Sequence, residues 1–442
     1  MRSNGRRKVK RSNIVRLVVS KDVGKKLREL ATWTAKCWNE VNWLRMQQFK
    51  EGKMVDFNDT EKVVYAKYKE YLKVNAQQVC RKNAEAWRSF FSLMKDKKDG
   101  KLPSWFKPRP PGYWKDKRGS YKLLILIRND RYTVDENART IYLKDFGLTL
   151  HFKGKLKWKG KQGRLEIFHN GLHWCASIPV EVEVNAKPKG NGIAGVDLGI
   201  VNLATVVFDD SSWVLFKGGS VLSEYENYSR KIAITQKKLS LHKQERSKRL
   251  KALFLKRKRF LKHVLNSMAR KTVETAYEKG VSIIKVGYPK EISKHHGNKL
   301  TVNFWNYNYV IRRMQEVSEE YGIKVETVNE AYTSIVCSLC GEAHENGRIH
   351  RGLFKCPHIG KVVNADLNGA INILHIPKSR GGWSEGNSTK GIGVKWLKTQ
   401  PVVYHWTSGA GWVFKSPTSC EAMGMKVVNH RPVNRPRGTL TL

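Results

Sequence analysis

The sequence predicts an α+β multidomain protein: a small β-barrel that brackets a helical insertion, then a mixed domain carrying a zinc knuckle. Three observations support this. Between residues 21 and 96 apolar residues recur at three- and four-residue steps, the period of an amphipathic helix. Between 123 and 184 the pattern changes to short strand-like runs with tight turns. Further on, Cys337 and Cys340 form a C-x2-C pair, and Cys356 is followed two residues later by His358. Two thiolates on one turn and a second Cys/His turn can close a tetrahedron around zinc.

Composition narrows the function. The 442 residues carry 83 Lys+Arg against 38 Asp+Glu, a net charge of +45. Charge of that size calls for a polyanionic partner, and nucleic acid fits best. No apolar run approaches the roughly 18 residues of a spanning helix, so a membrane protein is not expected. The basic N-terminus has no signal-peptide core, and Cys37, Cys80, Cys175 and Cys420 are too scattered for a disulfide framework. An intracellular, reduced protein is expected.

In order, Ile14 to Val19 reads as a basic strand. Three helices follow, marked by Leu27, Ala31, Trp38 and Val41, then Val64, Tyr68 and Leu72, then Val79, Asn83, Trp87 and Phe90. Their aromatic stripe is expected in a bundle core, with Lys36, Arg45, Arg81, Lys82 and Arg88 as candidates to face phosphates. Pro103, Pro108, Pro110 and Pro111 exclude helix from 97–122. There Trp105, Phe106, Tyr113 and Trp114 alternate with cations, as in a loop that stacks on bases or in a rigid surface linker. In the strand-rich stretch, Asn170-Gly171 marks a two-residue hairpin turn.

At Ile193 a new domain opens with IAGVDLGIVNLATVVF, an apolar strand ending in Asp197, a turn at Gly199 and a second strand. An acid and a glycine at such a junction suit a metal-dependent nuclease of the ribonuclease H type, a sugar kinase of the actin fold or an ordinary hairpin. Residues 230–262 hold fourteen Lys/Arg and one acid, Glu245, and such a helix repels itself unless phosphates lie alongside. A strand over 281–286, a helix over 309–321 and a strand over 323–329 lead to Glu330 and the knuckle. Behind the knuckle, Asn364 is a plausible N-cap, which places Asp366 in the first turn of a helix running on through Leu374. Beyond Ile376 no periodicity is evident. That tail holds ten Lys/Arg against two Glu, and it is expected to order only on a partner.

GVDLGIVNLATVV, the basic helix, AYTSIVCSLCG, FKC and NADLNGAINIL together resemble the TnpB family, RNA-guided nucleases of small insertion sequences related to compact type V CRISPR effectors. The specific match covers about residues 193–376. The resemblance implies a β-barrel wedge domain (1–20 and 123–190) with a helical recognition insertion (21–122). It further implies a RuvC-like, ribonuclease H-fold nuclease domain (191–336 and 360–376) with a zinc-ribbon insertion (337–359), and a basic tail (377–442). It implies a guide RNA, two Mg2+ ions, one structural Zn2+ and cleavage of double-stranded target DNA beside a short flanking motif. A monomer in the cytoplasm or nucleoid of a prokaryote is expected.

Two positions depart from the family pattern. The family's Glu at the end of the 281–286 strand falls on Gly287. Glu330, at the end of the neighbouring strand, is its expected replacement, with Glu291 as the alternative. The catalytic, Mg2+-binding set is then Asp197, Glu330 and Asp366. The family's fourth zinc ligand falls on Ile359, and adjacent His358 is expected to replace it beside Cys337, Cys340 and Cys356, with His344 and His350 in reserve. A nuclease-inactive RNA-guided DNA-binding protein, a transposase or transposase accessory protein, and a structural zinc-ribbon RNA-binding protein are the competing readings.

Overall fold

A computed structural model describes residues 7–116, 119–288, 300, 304–330, 333–350, 352–376 and 394–415. The chain divides into two compact units, Met1–Val184 and Asn185–Leu442.

In the first unit, β1 (Arg7–Val18) is the hub of an eight-stranded antiparallel sheet with β2 (Leu124–Ile127), β3 (Tyr132–Asp135), β4 (Thr140–Leu143), β5 (Leu148–Lys153), β6 (Lys161–Gln162), β7 (Leu165–His169) and β8 (Trp174–Val184). Its order is β2-β7-β8-β1-β5-β4-β3, with β6 on β8. The end strands β2 and β3 are not paired to each other among the described residues, so the barrel is open in its backbone. It closes through side chains: Ile127, Tyr132, Leu150 and Ile178 share one core, and the Tyr132 hydroxyl donates to the Gly163 carbonyl at 2.9 Å.

Between β1 and β2 lie α1 (Lys21–Lys50), α2 (Phe57–Leu72) and α3 (Asn75–Lys98). Ser20 caps α1 and Asp56 caps α2, each accepting a first-turn N–H. The aromatic stripe is core, as its spacing predicts, with Trp87 and Phe90 buried. Arg45 differs from expectation. It is fully buried and donates to Thr60 Oγ1, the Cys80 carbonyl and Asn83 Oδ1, so it ties the helices together and faces no phosphate. The proline loop is half anchored: Trp114 is buried and stacks on Trp38 at 4.1 Å, whereas Trp105 stays exposed.

The second unit is built on a seven-stranded mixed sheet. Its strands are β9 (Gly192–Asp197), β10 (Asn202–Phe208), β11 (Trp213–Lys217), β12 (Val281–Tyr288), β13 (Lys324–Asn329), β16 (Val402–Thr407) and β17 (Gly411–Lys415), in the order β13-β12-β9-β10-β11-β16-β17. The small pair β14 (Leu353–Lys355) and β15 (Val362–Asn364) belongs to the knuckle. On the sheet lie α4 (Gly219–Leu241), α5 (Lys248–Glu278), α6 (Tyr307–Ser318) and α7 (Ala365–His375). Between α7 and β16 comes the short α8 (Val394–Leu397).

The expected free tail is corrected here. Residues 394–415 complete the sheet: β16 pairs in parallel with β11, and Trp396 and Val403 are buried against Trp213 and Leu215. The stretch lacks a long period because it consists of a four-residue helix and two short strands. Residues 377–393 and 416–442 of that tail lie outside the described residues.

Candidate active site and zinc knuckle

Strand register sets the site. β12 runs parallel to β9 with Val286 beside Val196, which puts Gly287 level with Asp197. On the other side Gly287 pairs with Val328 of β13, so Glu330 emerges just past the same edge. A Cβ on Gly287 would lie 2.9 Å from Glu330 Oε2 and 2.6 Å from Ile373 Cδ1. The Glu330 carboxylate thus reaches into the space that a side chain at 287 would claim. Glu291 lies outside the described residues.

Asp366 arrives from α7. Asn364 Oδ1 accepts from the N–H groups of Asp366 and Leu367, the N-cap expected from sequence. Asn202, at the start of β10, donates to Asp366 Oδ2 at 2.7 Å and fixes that carboxylate. The helix can lie this close because Gly195 has no side chain: a Cβ there would sit 2.5 Å from the Ala370 carbonyl. A Cβ on Gly369 would in turn approach Asp197 Oδ2 to 2.9 Å. Buried Lys285 donates to the carbonyls of Leu374 and Ile376 and caps the far end of α7.

The structure therefore brings Asp197, Glu330 and Asp366 together. Burial pushes the Asp197 carboxyl well above its usual range, and the negative charges of Asp366 and Glu330 push it further. Burial raises Glu330 to about 7. Glu330 Oε2 is buried without a hydrogen-bond partner among the described residues. An unpartnered carboxylate oxygen amid like charges is a poor resting state for a fold and a good seat for a cation. Sequence reasoning missed Arg348, an exposed residue of the knuckle whose guanidinium partly offsets the rise at Asp197. It also missed Asn202, Asn368 and Asn372. From α7, Asn368 bonds Ser338 N and the Val336 carbonyl, while Asn372 bonds the carbonyls of Thr333 and Val336, which locks the knuckle to the site. Only the asparagine density of NADLNGAIN hinted at them.

In the knuckle, the groups that could hold a metal are Cys337, Cys340, Cys356 and His344, whose ligand atoms lie within 4.8 Å of one another. His344 Nε2 is 3.0 Å from Cys340 Sγ and 4.0 Å from Cys356 Sγ. This brackets the about 3.6 Å expected of an S···N pair on tetrahedral zinc. The expected His358 is not in the group: its ring is half exposed and its Nδ1 lies 3.4 Å from Glu342. Adjacency to the family's cysteine position suggested His358, but it is His344, on the loop after Cys340, whose ring nitrogen reaches the thiols. Burial and neighbouring His358 lower the His344 pKa, favouring the neutral imidazole that a metal ligand must be. Burial raises Cys337 to about 12, so an ion must displace protons to bind. Accordingly, His344→Ala should cut the zinc content of the purified protein severely, whereas His358→Ala should retain about one ion per chain. Elemental analysis checks this, and the opposite ranking would restore His358.

Two family models match the chain: one described as a probable transposase over residues 177–293, and the Cas12f1-like TNB domain over 307–373. TnpB-like protein ORF457 of Acidianus two-tailed virus is 40% identical over 404 residues, covering 83% of this chain and 86% of that protein. The chain belongs to the TnpB family. It is also 29% identical over 216 residues to the CRISPR-associated endodeoxyribonuclease Cas12f1 of Sulfoacidibacillus thermotolerans, with 45% of this chain and 49% of that protein covered. Among solved structures, the Cas12f1–sgRNA–target DNA complex matches with a TM-score of 0.54 at 16% identity, over 82% of this chain and 84% of that one. At that identity the likeness speaks to the fold. No helix among the described residues is long and apolar enough to cross a membrane.

Proposed function

We propose that the chain is an RNA-guided, Mg2+-dependent double-stranded DNA endonuclease of a transposable element, which pairs its guide with target DNA beside a short flanking motif. The observation that carries this reading is the convergence of three acids from distant stretches, with Glu330 filling the place left by Gly287. Family membership, and the endodeoxyribonuclease named among its relatives, agree with it. Asp197, Glu330 and Asp366 would hold two Mg2+ ions, and hard carboxylate oxygens suit that ion. Bound there, the ions would polarise the scissile phosphate and lower the pKa of the attacking water. Asn202 orients Asp366, and Arg348 adds positive charge on the knuckle side, toward an anionic substrate. The thiol-rich knuckle suits zinc instead and keeps the two metals apart.

Purification with co-bound RNA, sequencing of that RNA and incubation with matched DNA test the reading. Guide-matched, Mg2+-dependent cutting is expected. Gly287 favours a second reading, a non-cutting RNA-guided DNA-binding protein, and stable binding without cutting in any divalent metal would establish it.

Lys256, Lys258 and Arg259 are exposed on α5 and fit a phosphate-facing role. Reversing all three to Glu should flatten the plot of log affinity against log salt by roughly 2 to 3 units of slope, since each lost phosphate contact removes about 0.9. An unchanged slope would make this face merely solvated.

A further inference from the structure

A cavity of about 420 Å3 opens between α4, α5 and the start of α6, apart from the carboxylates. Its size suits a nucleoside. Tyr225, Phe254, Phe304 and Tyr309 give it aromatic walls, and Arg257, Lys258 and Lys262 supply its charge. No acid lines it among the described residues. The cations are held against the rings. The Arg257 guanidinium lies 4.9 Å from the centre of Tyr225 and 5.4 Å from that of Phe254, and it donates to Ser229 Oγ at 2.9 Å. Tyr309 is fixed by its hydroxyl, which donates to Asn266 Oδ1 at 2.7 Å. Phe254 is 41% exposed at the rim, a place where an aromatic ring contributes little to the core.

The cavity adjoins the catalytic edge. Its Asn306 is the N-cap of α6. Two residues on, Asn308 Nδ2 donates to the hydroxyl of Tyr288, which follows Gly287 at the end of β12. Between them, Tyr307 is raised by burial and by the charges of Glu330 and Asp197, so the helix start that lines the cavity lies near the acids. Aromatic walls with cations and no acid fit one kind of occupant: a base whose phosphates stay outside.

We propose that this cavity receives an unstacked nucleobase of the DNA strand being cut, from the nucleotide flanking the scissile phosphate. The proposal rests on the nuclease reading for the identity of that strand. Taking the flanking base out of the stack would hold the phosphate against the acids and give the cut a local base preference that guide pairing does not supply.

The test uses the full chain with its guide RNA and a target carrying 5-iodouracil at successive positions near the cut. In the Asp197→Asn protein, ultraviolet crosslinks to Tyr225, Phe254 or Tyr309 are expected from the flanking position and should fall severalfold or more with Phe254→Ala. In the cutting-competent chain, an abasic residue at that position should slow cleavage about tenfold, as loss of one stacked base would. Phe254→Ala should slow it similarly, and the two changes together should cost little more than either alone. Additive losses, or crosslinks that avoid the cavity, would overturn the proposal while leaving the nuclease reading intact. Cavity crosslinks from a chain that never cuts would do the reverse, supporting base capture and removing the nuclease.

Discussion

Glu330→Gln should lower cleavage of guide-matched DNA by orders of magnitude while leaving folding and RNA binding intact. The amide keeps the shape of the side chain and removes the charge that would hold Mg2+. Single-turnover cleavage measured beside RNA affinity checks it. Cutting at the parent rate would remove Glu330 from the site, and a dead Glu291→Gln would then name the loop acid as third ligand. Glu291→Gln is otherwise expected to be nearly silent. The family arrangement can be rebuilt only with room made for it. A side chain at 287 would run into both Ile373 and the Glu330 carboxylate, so Gly287→Glu alone should be inactive. Gly287→Glu with both Glu330→Ala and Ile373→Val, which removes the clashing Cδ1, should recover partial cutting.

Asp197→Asn should abolish cleavage and at the same time stabilise the metal-free protein at neutral and alkaline pH. Asp197 is raised by burial and by the charges of Asp366 and Glu330, and Glu330 is raised from 4.5 to about 7. In the fold these carboxyls hold protons that the unfolded chain has already released. Between about pH 4.5 and 7 the native state therefore binds more protons than the unfolded state, and stability falls as pH rises. For Glu330 the loss is on the order of 3 kcal/mol once the pH passes 7, taken as an upper figure because the side chain keeps some exposure. The metal-free parent should thus melt lower at pH 8 than at pH 6, and added Mg2+ should recover the difference. Asp197→Asn should remove Asp197's share of that pH dependence and leave the share of Glu330, which burial raises. Melting curves in magnesium-free buffer decide it, and a parent whose Tm is indifferent to pH and Mg2+ would count against a cation site at these acids.

Much of this was legible in the sequence. The helical period of 21–96, the hairpins of 123–184, the strand ending in Asp197 and the N-cap at Asn364 each follow from local pattern, and local pattern is what a sequence displays. That Glu330 would stand beside Gly287 could be anticipated because parallel neighbours in one sheet end on the same edge. What stayed hidden depends on distant partners. Spacing favours His358 over His344, and only the folded loop brings His344 to the cysteines instead. Arg45 reads as a surface cation until Thr60, Cys80 and Asn83 surround it. Asn202, Asn368 and Asn372 look like ordinary polar residues, yet each bridges segments 30 or more positions apart. Residues 394–415 carry too short a period to announce strands that form only against β11.

That last pairing sets an order of assembly. Val214 of β11 lies beside Val402 of β16, 188 positions later in the chain. Loop closure over such a span is slow, and the open edge of β11 waits meanwhile as an unpaired template for other chains. A chain cut back to residue 376 would keep Asp197, Glu330, Asp366 and the knuckle. It would also leave Val207, Trp213 and Leu215 without their cover from Trp396 and Val403. Attempts to miniaturise the protein by trimming this end should therefore fail through aggregation during synthesis, even though they spare all of the proposed chemistry.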